Sequence, residues 1–119
     1  SFRQILFKIC SRTISPTSMI VYNVTLSIHP AIEEEALTWL KEEHIPEVMA
    51  TGLFVSSTMF KVLEHPQGKS HNSFAVQYTL ESWVKFSEYE EKYAEKMRTK
   101  TQEKYGENML AFRTFLEAI

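Results

Sequence analysis

The sequence predicts an α+β domain of the ferredoxin-like type, with two helices packed on one face of a four-stranded antiparallel sheet. Segments 20–28 and 73–80 alternate apolar and polar residues, which is typical of half-buried strands. Two further segments carry apolar residues at helical spacing. The resulting order of strand, helix, strand, strand, helix and strand is the split βαββαβ unit, which leaves one sheet face without helices.

Composition predicts a single cytoplasmic domain. The 119 residues are 44% hydrophobic and 13% aromatic, which is enough for one compact core. The formal net charge of −2 provides no basic face for a phosphate backbone, so nucleic acid is not the expected partner. The single cysteine, Cys10, cannot form an internal disulfide, which favours a reducing compartment. No apolar run approaches the roughly 18 residues that cross a bilayer, so no membrane association is predicted.

The first eighteen residues differ in composition from the rest of the chain. They contain three basic residues and no acidic one, and the strand pattern begins directly after Met19. We therefore expect residues 1–18 to be an extension upstream of a natural start at Met19, and residues 19–119 to be the domain. The apolar residues within 2–9 suit an added edge strand or a helix equally well, and a transit peptide is a further alternative.

The first half of the domain predicts a strand over 20–28, ended by His29 and Pro30, and then a helix from Pro30 to about Glu43. The residue before a proline avoids the helical region, so Pro46 is predicted to interrupt this helix. One more turn would follow over 47–51 and end at Gly52.

The second half predicts strands over 53–63 and 73–80, joined by a loop that contains Pro66 and Gly68. Ser82 has the character of an N-cap for a second helix that runs to Tyr105, and Gly106 would end this helix. The last strand is predicted over 109–116.

This topology gives the strand order four-one-three-two and makes 20–28 and 73–80 the central strands. Their fully apolar rows must face the helices, so their other rows line the uncovered side, which we call the free face. The free face is predicted to comprise mostly small residues, Val21, Asn23, Thr25, Ser27, Ala75, Gln77 and Thr79, with larger ones from Val55, Met59, Lys61, Arg113 and Phe115 on the outer strands. Such a surface suits either solvent or a second subunit that completes a dimeric α+β barrel.

Asn23, Gln77 and Arg113 are the candidate ligand-binding residues. On an enclosed free face, Asn23 and Gln77 would hydrogen-bond a substrate or an oxyanion, and Arg113 would hold a carboxylate. The competing interpretation gives them cross-strand hydrogen bonds and an ion pair at a dimer interface.

No catalytic residue, metal site or cofactor is predicted. The chain has no Asp for a Ser-His-Asp triad and no glycine-rich phosphate loop. His29, His65 and His71 fall at one end of the sheet, but their spacing matches no recognised metal motif. A capping or dipole role is expected for His44, which precedes Ile45 and Pro46 near a helix end.

One set of segments resembles a known family. His44–Met49 (HIPEVM), Thr51–Phe54 (TGLF), Met19–Val24 (MIVYNV) and Phe112–Leu116 (FRTFL), with Trp39 upstream of the first, resemble a family of small uncharacterised bacterial proteins with a domain of unknown function. The resemblance spans 19–119 and implies membership of the dimeric α+β barrel superfamily and a homodimer. It implies no activity, because cofactor-free monooxygenases, haem-degrading enzymes and ligand-binding proteins share this fold.

The function predicted from the sequence is a homodimeric interaction module or small-molecule-binding module. The alternative is a cofactor-independent oxygenase-like or isomerase-like enzyme with its pocket on the free face. A haem-degrading enzyme is disfavoured because the second helix contains no histidine to ligate haem. An RNA-recognition domain is disfavoured because Phe74 and Tyr78 belong to the apolar row predicted to face the helices.

Overall fold

The computed structural model describes residues 19–63 and 72–119, which form a four-stranded antiparallel sheet with two helices on one face. The strands are β1 (Ile20–Ile28), β2 (Ser56–Lys61), β3 (Asn72–Leu80) and β4 (Met109–Glu117). Their spatial order is β2-β3-β1-β4, and every adjacent pair is antiparallel. The predicted fold class and strand order are confirmed. The expectations for residues 1–18 and for the loop containing His65 and His71 lie outside the described residues.

The first helix continues through the predicted interruption at Pro46. It comprises a 3₁₀ turn (Pro30–Ile32), an α-helical segment (Glu33–Trp39), a π-helical turn (Leu40–His44) and a final α-helical segment (Ile45–Met49). The N–H of Ile45 bonds to the carbonyl of Leu40, five residues back. Because this wider turn directly precedes Pro46, it accommodates a ring that would otherwise clash with the preceding turn.

The second helix matches its prediction at both ends. It comprises Trp83–Tyr89, a π-helical turn at Glu90–Ala94, and Glu95–Tyr105. The hydroxyl oxygen of Ser82 accepts a hydrogen bond from the N–H of Lys85, which satisfies one free donor of the first turn. Gly106 ends the helix at φ 55° and ψ −131°, a backbone conformation that residues with a Cβ atom rarely adopt.

The core lies between the sheet and both helices. Ile28 and Leu80, on the two central strands, are completely buried, and the rest of their rows pack with Ala36, Leu40 and other helix residues. This confirms that the apolar rows of β1 and β3 face the helices. Complete burial of one such aliphatic side chain contributes about 1.5–3 kcal/mol, so these rows carry much of the driving force for folding.

The register places the outer-strand residues differently from the prediction. Residues directly opposite each other share a sheet face, and Arg113 lies opposite Val24 while Phe115 lies opposite Tyr22. Arg113 and Phe115 therefore belong to the helix-facing side. Met59 and Lys61 do as well, because they lie opposite Val76 and Phe74. The predicted facing of these four residues is wrong, and Val55 precedes β2 and is exposed.

The outer part of the free face is apolar instead. Leu110, Phe112 and Leu116 on β4 share the face of Ser27, Thr25 and Val21, and Phe60 on β2 shares the face of Ala75. Their exposed fractions are 46%, 61%, 44% and 49%, which is high for large apolar side chains. In the described part of the chain, neither helix covers this face, and no helix there is long and apolar enough to cross a membrane.

Candidate functional site

A cavity of about 690 Å³ lies on the helix-facing side of the sheet. Such a volume falls within the range of small-molecule sites in proteins. Its lining comes from both central strands, both helices and β4. The lining residues include Tyr22, Val24, Leu26, Leu40, His44, Val48, Val76, Tyr78, Tyr89, Met97, Arg98, Gln102, Glu103, Met109, Ala111 and Arg113.

The floor of the cavity is the apolar row of the two central strands. Val24 and Val76 are opposite one another on β1 and β3, and Tyr22 and Tyr78 form the next pair toward the start of β1. Exposed lining residues such as Gln102, Glu103 and Arg113 come from the second helix and from β4. The cavity thus has an apolar floor and opens between the second helix and β4.

His44 lines the cavity in a partly buried environment that favours its uncharged form. It lies in the π-helical turn of the first helix, and its ring stacks on Trp39 with the ring centroids 4.8 Å apart. Burial lowers the pKa of His44, Glu47 partly opposes this, and the charges of Lys100 and Arg113 lower it further. Its Nδ1 atom is buried and has no hydrogen-bond partner within the described residues. An imidazole in this state is neutral at pH 7.

Burial holds Tyr78 and Tyr89, which line the cavity, in their neutral, hydrogen-bonding form. Burial raises the pKa of Tyr89 to about 12, and it also raises the pKa of Tyr78 above the ordinary tyrosine value. Tyr22 stacks on Tyr78 with ring centroids 6.2 Å apart. These rings offer aromatic surface and hydroxyl groups to a ligand without adding charge.

Arg98 carries a charge that the protein already compensates. Its two terminal nitrogens lie 2.9 Å and 3.1 Å from the carboxylate oxygens of Glu90. This hydrogen-bonded pair, and secondarily the Tyr22 hydroxyl, raise the pKa of Arg98 above its usual range. Arg98 is therefore a poor candidate for holding a separate anion.

The structure separates the three residues predicted to bind a ligand. Asn23 and Gln77 lie opposite one another on the free face. Arg113 lies on the other face, where it lines the cavity. The two faces of a sheet cannot contribute to one pocket, so the predicted joint site of Asn23, Gln77 and Arg113 is not formed within one subunit.

On the free face, Asn23 makes cross-strand contacts. Its side-chain amide lies 3.1 Å from the hydroxyl oxygens of both Thr25 and Thr114. Its Oδ1 atom is buried and has no partner among the described residues. The free face therefore presents a polar centre flanked by the apolar residues of β2 and β4.

The sequence did not predict that His44 lines the cavity. Of the capping or dipole role expected for this residue, the side chain makes no capping hydrogen bond at the start of the Ile45–Met49 segment. The signal available was indirect, because His44 follows Leu40 and precedes Val48 at four-residue spacing, and both of these face the core.

His29 does take a capping role, since its Nδ1 accepts a hydrogen bond from the N–H of Ala31 at 3.0 Å. Within residues 19–63 and 72–119, no three His, Cys, Asp or Glu side chains come together as a metal site. His65 and His71 lie outside these ranges, so a convergence of the three histidines stays a hypothesis.

The fold and the cavity together define a ferredoxin-like α+β protein with a pocket between its sheet and its helices. Residues 19–119 match the family model described as Domain of unknown function (DUF4286). The chain belongs to this family, which confirms the resemblance noted in the sequence. No curated protein matches the chain.

Solved structures with the same fold extend over most of the chain. An ethyl tert-butyl ether D (EthD) family protein from Bacillus halodurans is 13% identical, with a TM-score of 0.64 over 84% of this chain and 99% of its own. A dimeric ferredoxin-like protein from an uncultured marine organism is 8% identical, with a TM-score of 0.54 over 85% and 95%. A candidate antibiotic biosynthesis monooxygenase from Bacillus cereus is 12% identical, with a TM-score of 0.55 over 84% and 92%. Identities this low establish the shared fold alone.

Proposed function

We propose that the protein is a homodimeric small-molecule-binding module, in which a second copy covers the free face and the cavity on the opposite face takes the ligand. The observation that carries the proposal is the difference between the two faces. One face forms a cavity of about 690 Å³ that opens between the second helix and β4, and the other exposes four large apolar side chains that no described helix covers.

A second copy of the chain suits the free face because the face is complementary to itself. Apolar residues occupy both edges, Phe60 on β2 and three residues on β4, while the small polar residues lie between them. When two such faces meet about a two-fold axis, polar centre opposes polar centre and apolar edge opposes apolar edge. One of the structural neighbours is described as dimeric, which supports this arrangement.

The oligomeric state tests the first half of the proposal. Sedimentation of the full chain should give the mass of a dimer, and Phe112→Lys should give a monomer, because a buried unpaired cation is strongly disfavoured at an interface. Val84→Lys is the matched control, since Val84 is 75% exposed on the second helix and should leave the dimer intact. A wild-type chain that sediments as a monomer at every concentration would overturn this half.

A thermal-shift screen of small acids, aromatic compounds and haem tests the second half. A ligand present well above its Kd adds stability in proportion to RT ln(1 + [L]/Kd). Ala111→Trp should abolish the shift, because Ala111 is half-buried, faces the helices and lines the cavity. A shift that persists in Ala111→Trp would place the ligand elsewhere and contradict the proposed site.

The same cavity also suits a cofactor-independent enzyme, and His44 is the observation that favours it. An imidazole that is neutral at pH 7 is in the state that a general base requires. Any ligand found in the screen should be incubated with wild type and with His44→Gln. Turnover that His44→Gln loses while it still binds the ligand supports the enzyme, and a ligand recovered unchanged from wild type rejects it.

A further inference from the structure

We infer that the ligand of the cavity is a small monocarboxylic acid with an apolar, ring-bearing body, whose carboxylate binds Arg113 and whose body lies on the floor of the central strands. This inference rests on the proposed ligand-binding function and names the class of ligand.

Three charged side chains line the cavity, and their situations differ. Arg98 is paired through both terminal nitrogens with Glu90. Glu103 lies at the exposed rim and makes no ion pair in the described part of the chain. Arg113 likewise has no carboxylate partner among residues 19–63 and 72–119. The cavity thus offers one guanidinium whose donors the protein leaves available.

Arg113 lies on the edge strand β4, in a row that also contains Met109, Ala111 and Phe115, and its neighbour across the sheet is Val24. It is exposed and lines the cavity, so its guanidinium is accessible to a ligand at the open side of the cavity. A guanidinium presents its N–H groups in a planar fork that matches the two oxygens of a carboxylate.

His44 supplies a second polar group in the lining of the same cavity as Arg113. The positive charge of Arg113 also contributes to lowering the pKa of His44. A neutral imidazole has one donor and one acceptor nitrogen, so it complements a carboxylate or a hydroxyl beside Arg113 without repelling either. Glu47 and Lys100, the other charges near His44, are already paired with each other.

The number of cations decides between a carboxylate and a phosphate. A phosphate monoester carries close to two negative charges at pH 7, and sites for it usually supply several donors or cations. Here one lining guanidinium has no carboxylate partner among the residues that the structure describes, and Glu103 at the rim would repel a dianion more strongly than a monoanion. A single negative charge is therefore the better match.

The remaining lining determines the body of the ligand. Tyr22, Tyr78 and Tyr89 present aromatic rings, and Val24 and Val76 continue the apolar floor. Aromatic rings prefer offset or edge-on contacts with other rings, so a ring-bearing body gains more here than a polar one.

The test uses two probes of the same shape, 3-phenylpropanoate and its uncharged amide, titrated calorimetrically into the full chain. We expect the carboxylate to bind at least about 10-fold more tightly than the amide, which is typical of a charge-assisted hydrogen bond. Arg113→Met should remove this preference and leave the amide affinity unchanged. Lys61→Met, which removes a positive charge from the far edge of the same sheet face, should keep the preference.

The outcomes separate this inference from the proposed function. Equal binding of the two probes, or a preference that Arg113→Met retains, would overturn the ligand class while leaving a binding cavity in place. Failure of both probes to bind would overturn both. Inorganic phosphate that competes with the carboxylate at equal concentration would contradict the single-charge argument.

Discussion

The two faces of the sheet use the same four strands and differ in what covers them. On the helix-facing side, Tyr22, Leu26, Val76 and Leu80 are at most 5% exposed. On the free face, the large apolar residues of β2 and β4 remain 44–61% exposed. Because alternate residues of a strand point to opposite faces, each strand contributes to folding on one side and, in the proposed dimer, to association on the other.

The helix-facing side is itself divided. Near the end of β1 that contains Tyr22, the rings of Tyr22, Phe54, Phe86, Tyr89 and Phe115 fill the space between sheet and helices. Beyond them, where Val24 faces Arg113, the packing gives way to the cavity. The comparison shows that the cavity lies where the core stops being filled, which is why we propose the ligand site there rather than on the uncovered face.

The largest expected effect comes from the filled part of the core. Leu80→Ala should lower the free energy of unfolding by about 2–5 kcal/mol, because it leaves a cavity where Leu80 is completely buried. Thr79→Ala, one residue earlier and on the free face, is the control and should change it by less than about 1 kcal/mol. Chemical denaturation measures both. Equal effects would mean that the two faces do not differ in their contribution to folding.

The next comparison uses two phenylalanines of β4 on opposite faces. Phe115 contacts the rings of Tyr22, Phe86 and Trp83 at centroid distances of 5.3, 4.8 and 4.9 Å. Phe115→Ala should therefore lower the free energy of unfolding of the monomer by about 1–3 kcal/mol, less than for a fully buried ring. Phe112→Ala should leave this energy unchanged.

Instead, Phe112→Ala should reduce the dependence of the melting temperature on protein concentration, because a partner that binds only the folded chain stabilises it by mass action. Differential scanning calorimetry over a 100-fold range of concentration separates the two variants. A concentration dependence that Phe115→Ala removes and Phe112→Ala keeps would reverse the assignment of the faces.

The sequence correctly predicts which side chains face the helices in the central strands β1 and β3, but not in the edge strands β2 and β4. In β1 and β3 one row is apolar, apart from Asn72 at the start of β3, and the other is mostly small and polar, so the pattern alone decides which row faces the helices. In β4 both rows contain large apolar residues, since Leu110 and Phe112 alternate with Met109 and Phe115. When both rows of a strand are equally apolar, the sequence does not decide which row faces the helices, and a shift of one residue exchanges the two sheet faces. For this reason the pattern predicts the wrong sheet face for Arg113.

The cavity could not have been predicted from the sequence for a different reason. It depends on the π-helical turn at Leu40–His44, which carries the first helix through Pro46 and brings His44 over the sheet. Single-residue rules predict a break at this position, because they treat the proline without the turn that precedes it.

A pH titration of stability sharpens the picture of the cavity side. Burial lowers the pKa of His44 below the ordinary value of 6.5, so the unfolded state binds more protons than the folded state in this range. The free energy of unfolding should therefore fall as the pH is lowered through 6.5, and His44→Gln should remove that part of the slope.

Glu47→Gln serves as the control for this titration. The hydrogen bond from Lys100 lowers the pKa of Glu47, so its contribution is present above the ordinary value of 4.5 and is lost only below it. Because the charge of Glu47 raises the pKa of His44, the variant should keep or steepen the slope near pH 6.5, in contrast to His44→Gln. A slope that His44→Gln retains would show that other groups produce it and would contradict the lowered pKa of His44.

The smallest expected effect concerns Asn23, at the centre of the free face. Asn23→Ala removes two hydrogen bonds to threonine hydroxyls, each of which contributes about 0.5–1.5 kcal/mol net to stability. The substitution also removes a buried carbonyl oxygen that has no partner in the described part of the subunit, which is favourable. The two changes oppose each other, so the free energy of unfolding of the monomer should change by about 1 kcal/mol or less. Thr25→Val, which removes only one acceptor, is the matched control. A loss above about 2 kcal/mol in the monomer would mean that this polar centre holds the subunit together, and a second copy would then not be needed to explain it.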